Sequence, residues 1–272
     1  MPNPIESIVR AILRSVVFPI RFPAPDTVNE ARIPSTGPEP GGPAARSNGS
    51  PGLCSPGEPS VESPCFKPRL HGLLRSLGLD VTYERAAGDH LYYREAGGSE
   101  IEVLDLVGGF GSLLLGHSHP TLVAEAQRLL ASGRPMLAQG SHREHANRLA
   151  AELSRRAGGG YRVIFGNSGA EAVEAAMKHA MLETGGHRFI ALERGFHGKT
   201  LGAVQLTASE EFRAGFDLPC LEVTRIPPDR LDLLRGAFER SSDLAGFVLE
   251  PVIGEGGVRP VDAGFAAEAA RL

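Results

Sequence analysis

The sequence has little cysteine and very little lysine. Its 272 residues include three cysteines, Cys54, Cys65 and Cys220, and none stands in a Cys-x-x-Cys pair. That spacing argues against both a metal centre and a disulfide framework, and it fits a reducing, cytoplasmic compartment. The only lysines are Lys67, Lys178 and Lys199, so arginine carries most of the positive charge. Net charge is −4 with no long run of either sign, which excludes the basic footprint of a nucleic-acid binder. No apolar run is long enough to span a membrane. Neither a P-loop nor a Rossmann glycine pattern is present.

What is there begins with a helical stripe. Apolar residues at 5, 8, 9, 12, 13, 16 and 17 share one face of a candidate amphipathic helix within residues 1–20. It suits docking on its own protein, on a partner or weakly on a membrane surface. No basic residue precedes the apolar region and no clear cleavage site follows, so a signal peptide fits poorly. Residues 21–64 read as a disordered linker, because the stretch from 34 to 64 is mostly Pro, Gly and Ser and cannot bury enough apolar area to offset its ordering entropy.

From Lys67 onward strand and helix signals alternate. Helices are predicted over 68–77, 119–130, 141–156, 169–184 and 229–240, with a last one opening near Asp262. Strands are predicted over 90–94, 101–107, 161–166, 187–192, 221–226 and 245–250. Strands spaced by helices imply an α/β fold with a mostly parallel sheet covered on both faces. Ligands bind such sheets beyond the carboxyl ends of the strands.

Three motifs sit at those ends. Asn167-Ser168-Gly169-Ala170-Glu171 turns from a strand signal into a helix. It reads either as an ordinary N-cap or as an anion site made of free N–H groups and the helix dipole. Arg194-Gly195-Phe196-His197-Gly198-Lys199-Thr200 holds an aromatic between glycines. Phe196 either tucks under its own turn or lays its face on a flat ring. His197 is either a structural hydrogen-bonder or a functional one. Glu250-Pro251-Val252-Ile253-Gly254-Glu255-Gly256-Gly257 leaves a buried-strand run. Its two acids are candidates for binding a cation or orienting another group, or are simple loop acids in solvent.

Together with Gly116-His117-Ser118-His119-Pro120, these motifs occur in an order and spacing that resemble class-III aminotransferases. These are pyridoxal-phosphate-dependent enzymes, the group containing ornithine, acetylornithine and 4-aminobutyrate aminotransferases. The resemblance covers about residue 80 to the end. It implies the fold-type-I architecture of pyridoxal-phosphate-dependent transferases. Residues 65–115 would be the N-terminal segment of the small domain, and 116–272 the first part of the large cofactor-binding domain. Pyridoxal 5′-phosphate is the implied cofactor. Ser168, Gly169 and Ala170 would hold its phosphate, Phe196 would stack on its ring with His197 beside it, and Glu250 would support its ring-side hydrogen bonds. Glu255 matches the acid that in many ω-amine members manages an arginine for the substrate carboxylate. Ile253 stands where many relatives carry Gln.

The implied partners are a small-molecule amino donor and a 2-oxo acid acceptor, with a homodimer for the full-length form. Decarboxylase, racemase or aminomutase chemistry on the same fold is the alternative, as is a non-catalytic remnant that keeps phosphate affinity. The family also uses a lysine that forms a Schiff base with the cofactor and an aspartate on the pyridine nitrogen. In relatives both lie downstream of the 250–257 motif, and this chain stops at Leu272. None of Lys67, Lys178 and Lys199 stands where that lysine belongs. The expectation is the front part of an aminotransferase, inactive alone and with apolar edges exposed.

Overall fold

The computed structural model describes residues 67–135, 138 and 140–272. The expected helix within 1–20, the linker over 21–64, Cys54 and Cys65 lie outside the described residues. Two compact units divide between Ser141 and His142. The sequence reading sets its division earlier, at 115/116.

In the first unit a short helix, α1 (Pro68–Ser76), precedes an antiparallel meander of β1 (Arg85–Ala87), β2 (His90–Arg94) and β3 (Glu100–Leu104). Arg85 pairs with Tyr92, and His90 with Leu104. The predicted strand over 101–107 stops at Leu104. Asp105 turns the chain: its Oδ1 accepts the N–H groups of Val107 at 2.9 Å and Gly108 at 3.0 Å. Its Oδ2 lies 2.8 Å from His117 Nε2. The imidazole contact and the two amides hold the carboxyl below the usual aspartate range. A local side-chain turn of this kind competes with ladder bonds, which is why the strand pattern overshoots. Helix α2 (Pro120–Ala131) follows the Gly88–His117 bridge. Leu106, Phe110 and Leu114, at 86%, 92% and 89% exposure, leave apolar surface on the loop between them.

The second unit opens with α3 (Glu144–Arg156) and α4 (Gly169–Thr184). Between them, 161–166 forms no strand, against expectation. The apolar run Tyr161-Arg-Val-Ile-Phe165 suits a strand, but a strand also needs a neighbour to bond. No described strand pairs with it, and Ile164 and Phe165 are exposed. The sheet proper is β4 (Arg188–Leu192), followed by α5 (Leu201–Leu206) and α6 (Glu210–Arg213), then β5 (Glu222–Ile226), α7 (Leu231–Arg240) and β6 (Leu244–Val248). Strand order is β5-β4-β6, and both pairings are parallel. A two-stranded antiparallel pair, β7 (Val252–Ile253) and β8 (Arg259–Pro260), leads into α8 (Ala263–Arg271).

Central β4 explains its own sequence. Phe189, Ile190, Ala191 and Leu192 are all buried, because both faces of the strand are covered. Alternation sends Ile190 and Leu192 to one face, where they pack with Ile226, Leu234, Ala237, Ile253 and Phe265. Phe189 and Ala191 face the other way, onto Met177, Leu206 and Ala245. So α7 and α8 cover one face, and α4 and α5 the other. Ile253 is a core residue, 1% exposed. Among the described residues no helix is long and apolar enough to cross a membrane, and no group of three or more His, Cys, Asp or Glu could hold a metal ion.

This packing sets a stability contrast. Leu234 is fully buried and Leu182 is 83% exposed. Leu234→Ala should cost about 2–5 kcal/mol in chemical denaturation, by lost transfer energy and a residual cavity. Leu182→Ala should stay within about 0.5 kcal/mol.

Candidate functional site

Three turns meet in the second unit. The first is the start of α4. Ser168 Oγ accepts the Glu171 N–H at 3.2 Å, and Glu171 Oε2 accepts the Asn167 N–H at 2.5 Å. This reciprocal pair is a capping box reached one residue early. The ordinary cap and the anion site turn out to be compatible. The cap consumes the Glu171 and Asn167 donors, while the N–H groups of Gly169 and Ala170 meet no acceptor among the described residues. Those two donors sit at the positive end of a sixteen-residue helix. Nothing crowds Gly169, where an added Cβ would meet no atom within 4 Å.

The second turn follows β4. Parallel pairing of β4 and β6 puts their carboxyl ends side by side, and Glu250 reaches across from the exit of β6. Its Oε1 accepts the Phe196 N–H at 2.7 Å and its Oε2 accepts the Gly254 N–H at 3.1 Å. One carboxylate thus brackets two loops. Gly198, at φ 128°, presses on α4: a Cβ there would lie 2.6 Å from the Ala170 Cβ and 3.1 Å from the Ala203 Cβ. Only glycine tolerates both that dihedral and that approach. The phosphate-type turn and the aromatic loop are therefore in contact.

Phe196 is half-buried and meets Phe212 edge-on, with centroids 6.1 Å apart and planes at 75°. Lys199 lays its Nζ 3.8 Å from the Phe212 centroid and 5.8 Å from that of Phe196, a cation–π arrangement. An open hollow of about 490 Å³ lies beside these rings, lined by Arg194, Phe196, Ser209, Phe212 and Glu255 among others. Glu255 is exposed on its rim, in the turn joining β7 and β8. Lys178 is exposed midway along α4, roughly 13 Å from that helix's start at 1.5 Å per residue.

His197 is buried. Its N–H donates to Thr207 Oγ1 at 3.0 Å, and Thr207 Oγ1 donates to the Gly198 carbonyl at 3.0 Å. Its Nε2 is buried without a hydrogen-bond partner among the described residues. Burial, and then the charge of Arg225, push the imidazole down to about 4. The ring is neutral at physiological pH. Arg225, from β5, donates its Nη2 to the carbonyls of Gln205 and Thr207 at the end of α5. Burial, and then the Arg213 charge, lower its own pKa. At the other end of α5, Glu174 Oε1 accepts the N–H groups of Gly202 at 2.7 Å and Ala203 at 3.0 Å. Burial raises that carboxyl, but the hydrogen bonds from Thr200, Ala203 and Gly202 outweigh it, and its pKa is lowered.

The structure thus brings Ser168, Gly169, Ala170, Phe196, His197 and Glu250 to one end of one sheet, with Glu255 at the margin. Sequence reading missed Glu174, Thr207, Phe212 and Arg225. A polar residue ending the run Gly202-Ala-Val-Gln-Leu-Thr207 was the available signal for Thr207. The other three have none, since each acts on a segment distant in sequence.

The sequence model of the family "Aminotransferase class-III" matches residues 76–272. The aminotransferase PigE of a Serratia species is 36% identical over 202 residues, covering 74% of this chain and 23% of that protein. Acetylornithine aminotransferase of Methanosarcina mazei is 39% identical over 172 residues, covering 61% of this chain and 42% of the relative. Among solved structures, ornithine aminotransferase from Toxoplasma gondii ME49 superposes with a TM-score of 0.61 at 24% identity, over 74% of this chain and 50% of that one. An ω-transaminase from Sphaerobacter thermophilus gives 0.59 at 27% identity, over 69% and 44%. The chain spans less than half the length of these curated relatives. With the family model covering most of the sequence and the fold shared, the chain belongs to the class-III aminotransferases.

Proposed function

We propose that this chain supplies the cofactor-holding part of a pyridoxal-phosphate-dependent aminotransferase, which moves an amino group from an amine or amino acid to a 2-oxo acid. The observation that carries this reading is the contact between two turns: free N–H donors at Gly169 and Ala170, and an aromatic loop held against them through Gly198.

The residues present fit the phosphate and the ring of that cofactor. Gly169 and Ala170 offer two donors at a helix N-terminus, which favours a phosphate dianion. Ser168 Oγ accepts one bond as a cap and keeps its own proton to donate. Phe196 offers a half-buried aromatic beside a hollow, and neutral His197 lies under the same loop with Nε2 unused. Glu250 keeps that loop in place through the Phe196 and Gly254 amides. Glu255 on the rim is the candidate for controlling a substrate carboxylate. When bound, pyridoxal phosphate supplies the electron sink that makes amino-group transfer feasible. What this chain adds is binding and orientation.

It adds no covalent anchor. Lys67 belongs to the other unit, Lys178 lies far along α4, and Lys199 is occupied with the Phe212 face. The relatives named above are aminotransferases, which favours transfer over decarboxylation or racemisation. The proposed setting is cytoplasmic, with a homodimer for the full-length protein.

Two measurements test this. Titrating pyridoxal phosphate into the chain should show saturable binding, and Phe196→Ala should weaken it roughly tenfold, in line with about 1–3 kcal/mol for an aromatic–base stack. Unchanged binding would reject the stacking role. Reduction of the bound mixture with borohydride should leave Lys178 and Lys199 unmodified on peptide mapping. A stoichiometric, site-specific adduct on either would sink the claim that no anchoring lysine is present.

A further inference from the structure

We propose that Thr207 is a positioning residue: its hydroxyl sets the height of the Phe196–His197 loop over the Gly169–Ala170 turn. This rests on the cofactor reading above.

The argument starts from an exception. Thr207 is 1% exposed, one of the few buried polar residues among the described ones. A buried hydroxyl is costly unless bonded. This one is bonded on both sides, accepting from the His197 N–H at 3.0 Å and donating to the Gly198 carbonyl at 3.0 Å. These two partners belong to the aromatic loop and flank one peptide unit; the Ala203 carbonyl, one turn back in α5, lies 3.4 Å from the same hydroxyl as a longer alternative acceptor for its one proton. Among the described residues no other side chain bonds either group. Glu250 holds the loop at the Phe196 N–H and the Ala208 N–H holds it at the Gly195 carbonyl, so the Thr207 hydroxyl is the side-chain tie specific to the 197–198 peptide.

Thr207 is itself held from behind. Arg225 Nη2 donates to the Thr207 carbonyl at 3.3 Å and also to that of Gln205. Glu174, on α4, caps the opposite end of α5 through Gly202 and Ala203. Helix α5 is thus tied to α4 at its start and to β5 at its end. The path closes at Gly198, whose α-carbon faces Ala170. A shift of Thr207 moves the peptide that carries His197 and Gly198, and with it the ring of Phe196, relative to the two free amides. The amides themselves belong to α4 and do not depend on Thr207.

That asymmetry makes the inference testable. Thr207→Val keeps the shape and removes both bonds, leaving a buried N–H and C=O unpaired, while Thr207→Ser keeps the hydroxyl. Two probes separate the subsites: inorganic phosphate for the amides alone, pyridoxal phosphate for amides plus ring. Losing two hydrogen bonds should weaken pyridoxal phosphate binding by Thr207→Val roughly tenfold, leave inorganic phosphate within about twofold, and be largely reversed by Thr207→Ser. Hydrogen exchange at the His197 amide should quicken in Thr207→Val and not in Thr207→Ser. Unchanged pyridoxal phosphate affinity, or a parallel loss of both ligands, overturns the inference. If the unsubstituted chain binds neither probe, the cofactor reading fails. The His197 amide then decides the hydroxyl's hold by itself, and unchanged exchange overturns it.

Discussion

Gly198 has no room for a side chain. A Cβ at its φ of 128° would fall 2.6 Å from the Ala170 Cβ, well inside van der Waals contact. The missing atom lets the loop after β4 touch the first turn of α4. Everything at this end of the sheet follows from that contact. The free amides of Gly169 and Ala170 and the aromatic ring of Phe196 belong to segments nearly thirty residues apart in sequence, and the Gly198–Ala170 approach brings their two turns together.

The surrounding interactions hold the contact rather than create it. Glu250 ties the aromatic loop to the exit of β6. Thr207 ties it to α5, and Glu174 ties α5 to α4. Most of these are carboxylates or hydroxyls accepting backbone N–H bonds in partly buried places, where such bonds are worth more than at the surface and their loss is costly. Beneath them, β4 is buried on both faces by two distinct core clusters. The loops at this end therefore stand on a strand packed on both faces.

How much of this was legible in the sequence depends on range. Helix α4 was, end to end, because its signals are local: Ser168 and Glu171 at the start and Gly185 just past the finish. The strands β4, β5 and β6 were placed within a residue or two, since buried apolar runs betray them. The run at 161–166 was misread, because an apolar run says what suits a strand and pairing is decided elsewhere. Helix α5, with six residues, was too short to show a period. The motif residues Gly169, Phe196, His197 and Glu250 stood out in the sequence as turn motifs, and the family resemblance singled them out as candidates. Which of them touch, and through which hydroxyl or carboxylate, was not legible. The Glu174, Thr207 and Arg225 contacts cross between elements, and no window along the chain contains both ends of any of them.

The central claim is that glycine at 198 joins the anion turn to the aromatic loop. Its most direct test is pyridoxal phosphate affinity in Gly198→Ala, measured alongside amide exchange in β4, β5 and β6. A residue with a Cβ at this position is strained by about 1–2 kcal/mol and must push the loop off α4. The account predicts affinity lowered about tenfold or more, with sheet amides still protected. Unchanged affinity in a folded Gly198→Ala chain would contradict it.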